Sequence, residues 1–186
     1  EENTLEDHEF ECPCRIVPCL RMALFPIPAG CDAQVQFQNA ITHYEDHKGW
    51  TYEELGNYQM NTKTIFGCNL SDFTKPYFWR PMKVKLFNET FLFAVKIEDS
   101  IAYMWVYILA SPKKAKKYTY TLKLFSSKTT ILATHTFEGK VAAIDEIFRD
   151  LCDAGKCFGL PCNLFKAQVL DENSLFTFSL IIQNLK

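Results

Sequence analysis

From about residue 63 onward the chain is a series of short apolar runs broken by turn chemistry, and the spacing inside each run indicates its element. The first runs cover 63–68 and 77–87, and Pro81, which has no amide hydrogen for a ladder, confines part of the second to an edge or a bulge. Asn88-Glu89 and Glu98-Asp99-Ser100 read as turns leading into strands over 90–97 and 101–109. In FLFAVKI and IAYMWVYIL apolar residues fall on both faces, the pattern of strands covered on both sides. Residues 118–125 alternate, with Tyr118, Tyr120, Leu122 and Leu124 to one side, and 129–137 answers them across Ser126-Ser127-Lys128 as a half-buried hairpin. His135 stands alone in that strand and is read as structural.

The period changes once. Val141, Ile144, Ile147, Phe148 and Leu151 recur at helical spacing, which predicts one long helix over 140–154 stopped by Gly155. An extended passage through Pro161 follows over 156–164, then a turn at Asp171-Glu172-Asn173 and a closing strand over 175–182. Seven or eight short strands with one late helix describe an antiparallel β-sandwich. The polar stretch 51–61 reads as a connector, so the boundary is placed near residue 50, with a small module over 1–49 and the sandwich over 50–186.

The small module carries the chemistry. Residues 8–47 hold four of the eight cysteines and three of the four histidines, a clustering that asks for a metal. Cys31 is followed by His43 and His47 along a segment that reads as a strand, with Val35 and Phe37 to one side, and then as a short helix from about Gln38. Two histidines four apart on a helix face the same way and can reach one ion. Strand, helix and such a pair form the tail of a Cys2His2 zinc site. Cys31 supplies one thiolate and Cys19 is favoured for the other, with Cys12 and Cys14 close enough to compete. Two plainer readings stand beside this one: isolated cysteines as small buried hydrophobes, or a disulfide framework in a secreted chain. Asn69-Leu70-Ser71 and Asn88-Glu89-Thr90 match the glycosylation sequon and keep the secreted reading open.

Composition narrows the classes. A net charge of −2 and a pI near 6.1 give no general drive toward nucleic acid or anionic membrane, which disfavours a DNA-binding finger. No run of 18 apolar residues occurs. The lysines of SPKKAKK, 111–117, read as a solvated loop, and Cys152, Cys157 and Cys162 as buried free thiols, since no histidine accompanies them. No GxSxG, Walker or HExxH pattern is present, and three of the four histidines belong to the metal region, so a recognition module is favoured over an enzyme.

The run His8-Glu9-Phe10-Glu11-Cys12-Pro13-Cys14-Arg15-Ile16-Val17-Pro18-Cys19 resembles the junction between the two zinc fingers of the seven-in-absentia ubiquitin-ligase family. The order FLFAVKI, MWVYILASPKKAKKYTYTLKL, IDEIFRDL, CFGLP and FTFSLII is similar to that family's TRAF-like substrate-binding domain. The family's knuckle is shorter than the segment from Cys19 to Cys31, and its last two histidines are one residue further apart. The resemblance implies a mainly β fold: a TRAF-like antiparallel β-sandwich with one inserted helix behind a Cys2His2-type zinc finger. It makes Cys19, Cys31, His43 and His47 the zinc ligands, and His8 and Cys12 half of a further, incomplete site. The chain starts without methionine, and the expectation is a fragment or processed chain that has lost the rest of that site and a RING domain, through which an E2 enzyme would be engaged. The resemblance also implies no catalytic residue in this chain and a homodimer formed through the sandwich. Degron-like peptides of substrate or adaptor proteins would lie along Lys63, Thr64, Ile65, Phe66, Gly67 and Cys68. The metal reading favours a reducing compartment, the cytoplasm first and the nucleus second. A TRAF-like adaptor or scaffold without ligase activity is the alternative.

Overall fold

The computed structural model describes residues 9, 12–19, 31, 33–46, 54–55, 63–65, 77–126, 129–146, 148–169 and 176–185. It is mainly β. A small hairpin of β1 (Ile16–Pro18) and β2 (Gln34–Gln36) runs through a 3-10 turn, Phe37–Asn39, into helix α1 (Ala40–Glu45). Two larger sheets follow.

The first contains β3 (Glu54–Leu55), β5 (Tyr77–Leu86), β6 (Glu89–Glu98), β7 (Ile101–Ile108), β10 (Ala142–Ala143) and β11 (Phe158–Pro161). The second contains β4 (Lys63–Ile65), β8 (Tyr118–Ser126), β9 (Thr129–Lys140) and β12 (Phe176–Asn184), in the order β4-β12-β8-β9.

The meander β5-β6-β7 is set by its turns. Phe87 and Asn88 have φ of 54° and 59°, and Asp99 and Ser100 have 50° and 61°. Two consecutive positive φ values make two-residue turns of the mirror type, whose twist matches that of the strands they join. The first turn therefore falls on Phe87-Asn88, one residue earlier than Asn88-Glu89. Pro81 coincides with a register shift in β5 between Trp79 and Met82, the irregularity that its missing amide hydrogen calls for.

Alternation places the core. Phe91, Phe93, Val95 and Ile97 of β6 and Met104, Val106 and Ile108 of β7 meet Tyr118, Tyr120, Leu122 and Leu124 of β8 and Phe178 and Ile182 of β12 between the two sheets. The Phe93 and Phe178 rings stack at 4.9 Å. The other face of β6 and β7 presents Leu92, Ala94, Trp105 and Tyr107, all buried. They pack with Val17 and Ala40 of the small hairpin-helix unit and with Ile144 and Leu151. Both faces of the larger sheet are thus covered, as its continuous apolar runs require.

Several expectations are corrected. Residues 140–154 do not form one helix: β9 runs to Lys140, β10 follows, and among the described residues there only Phe148–Asp153 is helical, here named α3. Val141 lies in the core between the sheets while Ala142 and Ile144 lie on the outer face, a strand alternation hidden inside a helix-like spacing. The amide of Val141 donates to the Tyr118 carbonyl at 3.2 Å, and strand pairing overrides the local helix preference. In place of one inserted helix, the described residues of the sandwich carry three short ones: α2 (Pro112–Ala115), α3, and α4 (Cys162–Gln168). Helix α2 occupies the lysine-rich loop, where Ser111 caps it by accepting from the Lys114 amide. Helix α4 takes up the last three residues of the passage expected to be extended. The sandwich is not wholly antiparallel, since β3 pairs with β5, and β10 with β7, in parallel. The polar connector over 51–61 contains β3. The turn expected at Asp171-Glu172-Asn173 lies outside the described residues.

Candidate metal centre

Hydrogen bonding of the small hairpin brings its chemistry together. Ile16 pairs with Gln36, Val17 with Val35 and Pro18 with Gln34. The Cys19 amide extends this ladder by donating to the Ala33 carbonyl at 3.0 Å. Cys19 therefore leaves β1 directly beside the strand that follows Cys31. Helix α1 then folds back over the hairpin, and His43, one turn into it, points at the same spot.

The result is a cluster of Cys19, Cys31 and His43 whose three donor atoms all lie within 4.8 Å of one another. Cys31 Sγ and His43 Nε2 stand 3.4 Å apart. A thiolate and an imidazole on one tetrahedral ion, at about 2.3 and 2.05 Å from it, are separated by roughly 3.5 Å, so this edge already has the length of a shared coordination sphere. Cys19 is fully buried and the other two are half-buried, which shields one side and leaves a path from solvent. Two soft sulfurs and an imidazole make a donor set that can hold a metal ion. His47, the expected fourth ligand, lies outside the described residues.

Cys12 and Cys14 are not in this cluster. They sit at a turn in which the Arg15 amide donates to the Cys12 carbonyl at 3.1 Å, with Cys12 half-buried and Cys14 exposed. His8 lies outside the described residues, and among those described no second group of metal-ligating side chains gathers at Cys12. Of the expected peptide-binding strand, Lys63, Thr64 and Ile65 form β4, paired antiparallel with Phe178, Thr177 and Phe176 of β12. Phe66, Gly67 and Cys68 lie outside the described residues.

Arg15 has a part that motif spacing alone does not convey. Its guanidinium lies 4.3 Å from the centre of the Phe37 ring, and one nitrogen approaches the Asp145 carboxylate at 3.7 Å. It thereby ties the metal unit internally and to the turn that precedes α3. The amides of Phe37 and Gln38 donate to the carbonyls of Arg15 and Pro13 at 2.8 and 3.0 Å, which fixes the start of the helical segment against the first strand. The ion would be held by a unit already joined to the sheet through Val17 and Ala40.

No helix among the described residues is long and apolar enough to cross a membrane. Compared with known proteins, the chain matches no protein-family model, and no curated protein is similar to it.

Proposed function

We propose that this chain is the substrate-recognition and dimerisation module of a seven-in-absentia-like ubiquitin ligase, built from a zinc finger docked on a TRAF-like sandwich. The observation that carries the reading is the Cys19, Cys31 and His43 cluster at the end of a hairpin and one turn into a helix. Zinc is the ion that a thiolate and imidazole set of this size favours, and His47 would complete its tetrahedron. The ion has a structural task here: it closes the small unit so that its apolar side stays on the sheet.

Recognition would take place at a sheet edge. In the four-stranded sheet β4 has β12 on one side and no strand on the other among the described residues. An extended peptide can add to such an edge by main-chain hydrogen bonds, with side-chain pockets giving specificity. Substrate or adaptor proteins carrying a degron-like segment would bind along Lys63, Thr64, Ile65 and the three residues after them as homodimeric sandwiches present that edge. An E2 enzyme would be engaged by a RING elsewhere in the full protein, in the cytoplasm or nucleus.

Zinc per chain, measured by elemental mass spectrometry on chelator-free protein, tests the metal. About one equivalent is expected, lost in Cys31→Ser and in His43→Ala. Absence of zinc together with paired cysteines would replace the finger by a disulfide-stapled sandwich. Ubiquitin transfer to a bound protein by the full-length protein then separates a ligase from an adaptor, which would bind the same protein without modifying it.

A further inference from the structure

A second sulfur pair lies outside the metal cluster. Cys152 belongs to the last turn of α3, and Cys157 comes just before β11. Between them the chain reverses through Gly155, whose φ of +64° is left-handed. The Gly155 amide donates to the Cys152 carbonyl at 3.1 Å and the Lys156 amide to the Leu151 carbonyl at 2.8 Å. This double closure ends a helix when a glycine takes the left-handed position. The backbone thus brings the two side chains together without any bond between them, and their Sγ atoms stand 2.9 Å apart. That is less than about 1 Å beyond a covalent S–S bond of roughly 2.05 Å.

The two thiols are not equivalent. Lys96, only 4% exposed, reaches across the Phe148 ring at 4.2 Å and pairs with Glu98 at 2.8 Å. Burial raises the Cys152 thiol, the Cys157 contact lowers it in part, and the charges of Asp153 and Lys96 act in opposite directions, leaving it raised. Burial and then the neighbouring Cys152 push Cys157 well up, so it keeps its proton. Both residues are half-buried, open enough for a small oxidant.

We propose that Cys152 and Cys157 form a reversible dithiol–disulfide couple, a modification site for oxidants of the peroxide class. The Cys152 thiolate attacks one peroxide oxygen, the O–O bond breaks, and a sulfenic acid and hydroxide form. The Cys157 sulfur then attacks the sulfenic sulfur, the S–S bond forms, and the S–O bond breaks. The Cys157 proton and the departing hydroxyl make water. In sum, two thiols and one hydrogen peroxide give one disulfide and two waters, with two electrons passing from sulfur to oxygen. A dithiol reductant reverses the bond by exchange. Because the resolving thiol is already in contact, ring closure outruns further oxidation of the sulfenic acid. The disulfide staples the end of α3 to the start of β11. The couple stands independently of the zinc and ligase readings.

The test uses the full chain, exposed to a small excess of hydrogen peroxide, alkylated, and digested with trypsin without reduction. Cleavage at Arg149, Lys156 and Lys166 separates the two sulfurs, so the disulfide appears as peptide 150–156 joined to peptide 157–166. At least a tenfold rise in this species is expected, assigned by fragmentation to Cys152 and Cys157 rather than Cys162, and reversed by dithiothreitol. In Cys157→Ser the linked species disappears and Cys152 is trapped as a sulfenic acid by dimedone. Full alkylation of both residues after peroxide, a bridge through Cys162, or a bridge that dithiothreitol does not open would each overturn the proposal on the wild-type protein alone.

Discussion

The two faces of the larger sheet are covered in different ways. The inner face meets a second sheet along whole strands, and its contacts repeat every second residue through β6, β7, β8 and β12. The outer face is covered by short pieces from distant parts of the chain: the hairpin and α1 from one end, Ile144 and α3 from the other. Regular pairing holds the first, while the second relies on point fastenings: Arg15 on Asp145, the Cys19, Cys31 and His43 cluster, and a tyrosine hydroxyl. A long periodic interface needs no special chemistry to stay closed. A patchwork does, and among the described residues Cys19, Cys31, His43, Cys152 and Cys157 lie beside it.

If this contrast holds, the largest effect belongs to the inner face. Phe93→Ala removes a ring that is 1% exposed and stacked on Phe178, and it should cost about 3–5 kcal/mol of global stability. Urea denaturation should show the loss as a lower midpoint with an unchanged slope. A loss below about 1 kcal/mol would mean that the inner face is not the dominant core.

Alkaline pH sharpens the comparison through one deeply buried tyrosine from each face. Tyr120, inside, donates to the Lys156 carbonyl at 2.7 Å, and Tyr107, outside, to the Glu146 carbonyl at 3.2 Å. Burial raises both phenols well above their ordinary value. A raised folded-state value means that the native form keeps a proton that the unfolded chain gives up. Stability is therefore full below the ordinary value of about 10 and falls above it, by up to about 1.4 kcal/mol per pH unit for each tyrosine. Denaturation midpoints between pH 9 and 11 should fall in the wild type, and the slope should be shallower in Tyr120→Phe and in Tyr107→Phe. Equal slopes in all three proteins would remove the tyrosines as the cause.

The smallest effect falls on the patchwork. At Gly155 an added Cβ meets nothing within 4 Å, so Gly155→Ala carries only the left-handed backbone strain, about 1 kcal/mol. Hydrogen exchange should quicken in α3 and leave β6 and β8 unchanged if the outer face opens on its own. Uniform acceleration would show that the two faces open together.

What the sequence conveys follows the same division. Strands β6, β7 and β8 are legible because each buries residues at a fixed period, as Tyr118, Tyr120, Leu122 and Leu124 do. The long helix over 140–154 is a misreading because Val141, Ile144 and Leu151 satisfy a helical stripe while serving two different cores. No local pattern tells a segment which core each residue will face. In the candidate metal site the spacing of Cys31 and His43 is legible, as one strand and one helix connect them. Choosing Cys19 over Cys12 and Cys14 needs the β1–β2 register, a pairing across a fifteen-residue gap. The Cys152 and Cys157 contact has a local signal, a glycine stop between two cysteines. Read as composition, it indicates only buried thiols.

Strand β7 lies at one margin of its sheet, with β6 on one side, and its other side is shared by two short segments. Strand β11 covers Ile101 to Met104 in antiparallel pairing, and β10 covers Tyr107 and Ile108 in parallel. A bare apolar strand of this length would be a template for another chain to pair with, the usual start of intermolecular aggregation. The two segments fill that edge with the protein's own backbone. The stretch from Ala142 to Pro161, which looks like a loose return path between strands, thus keeps an apolar strand out of reach of neighbouring molecules.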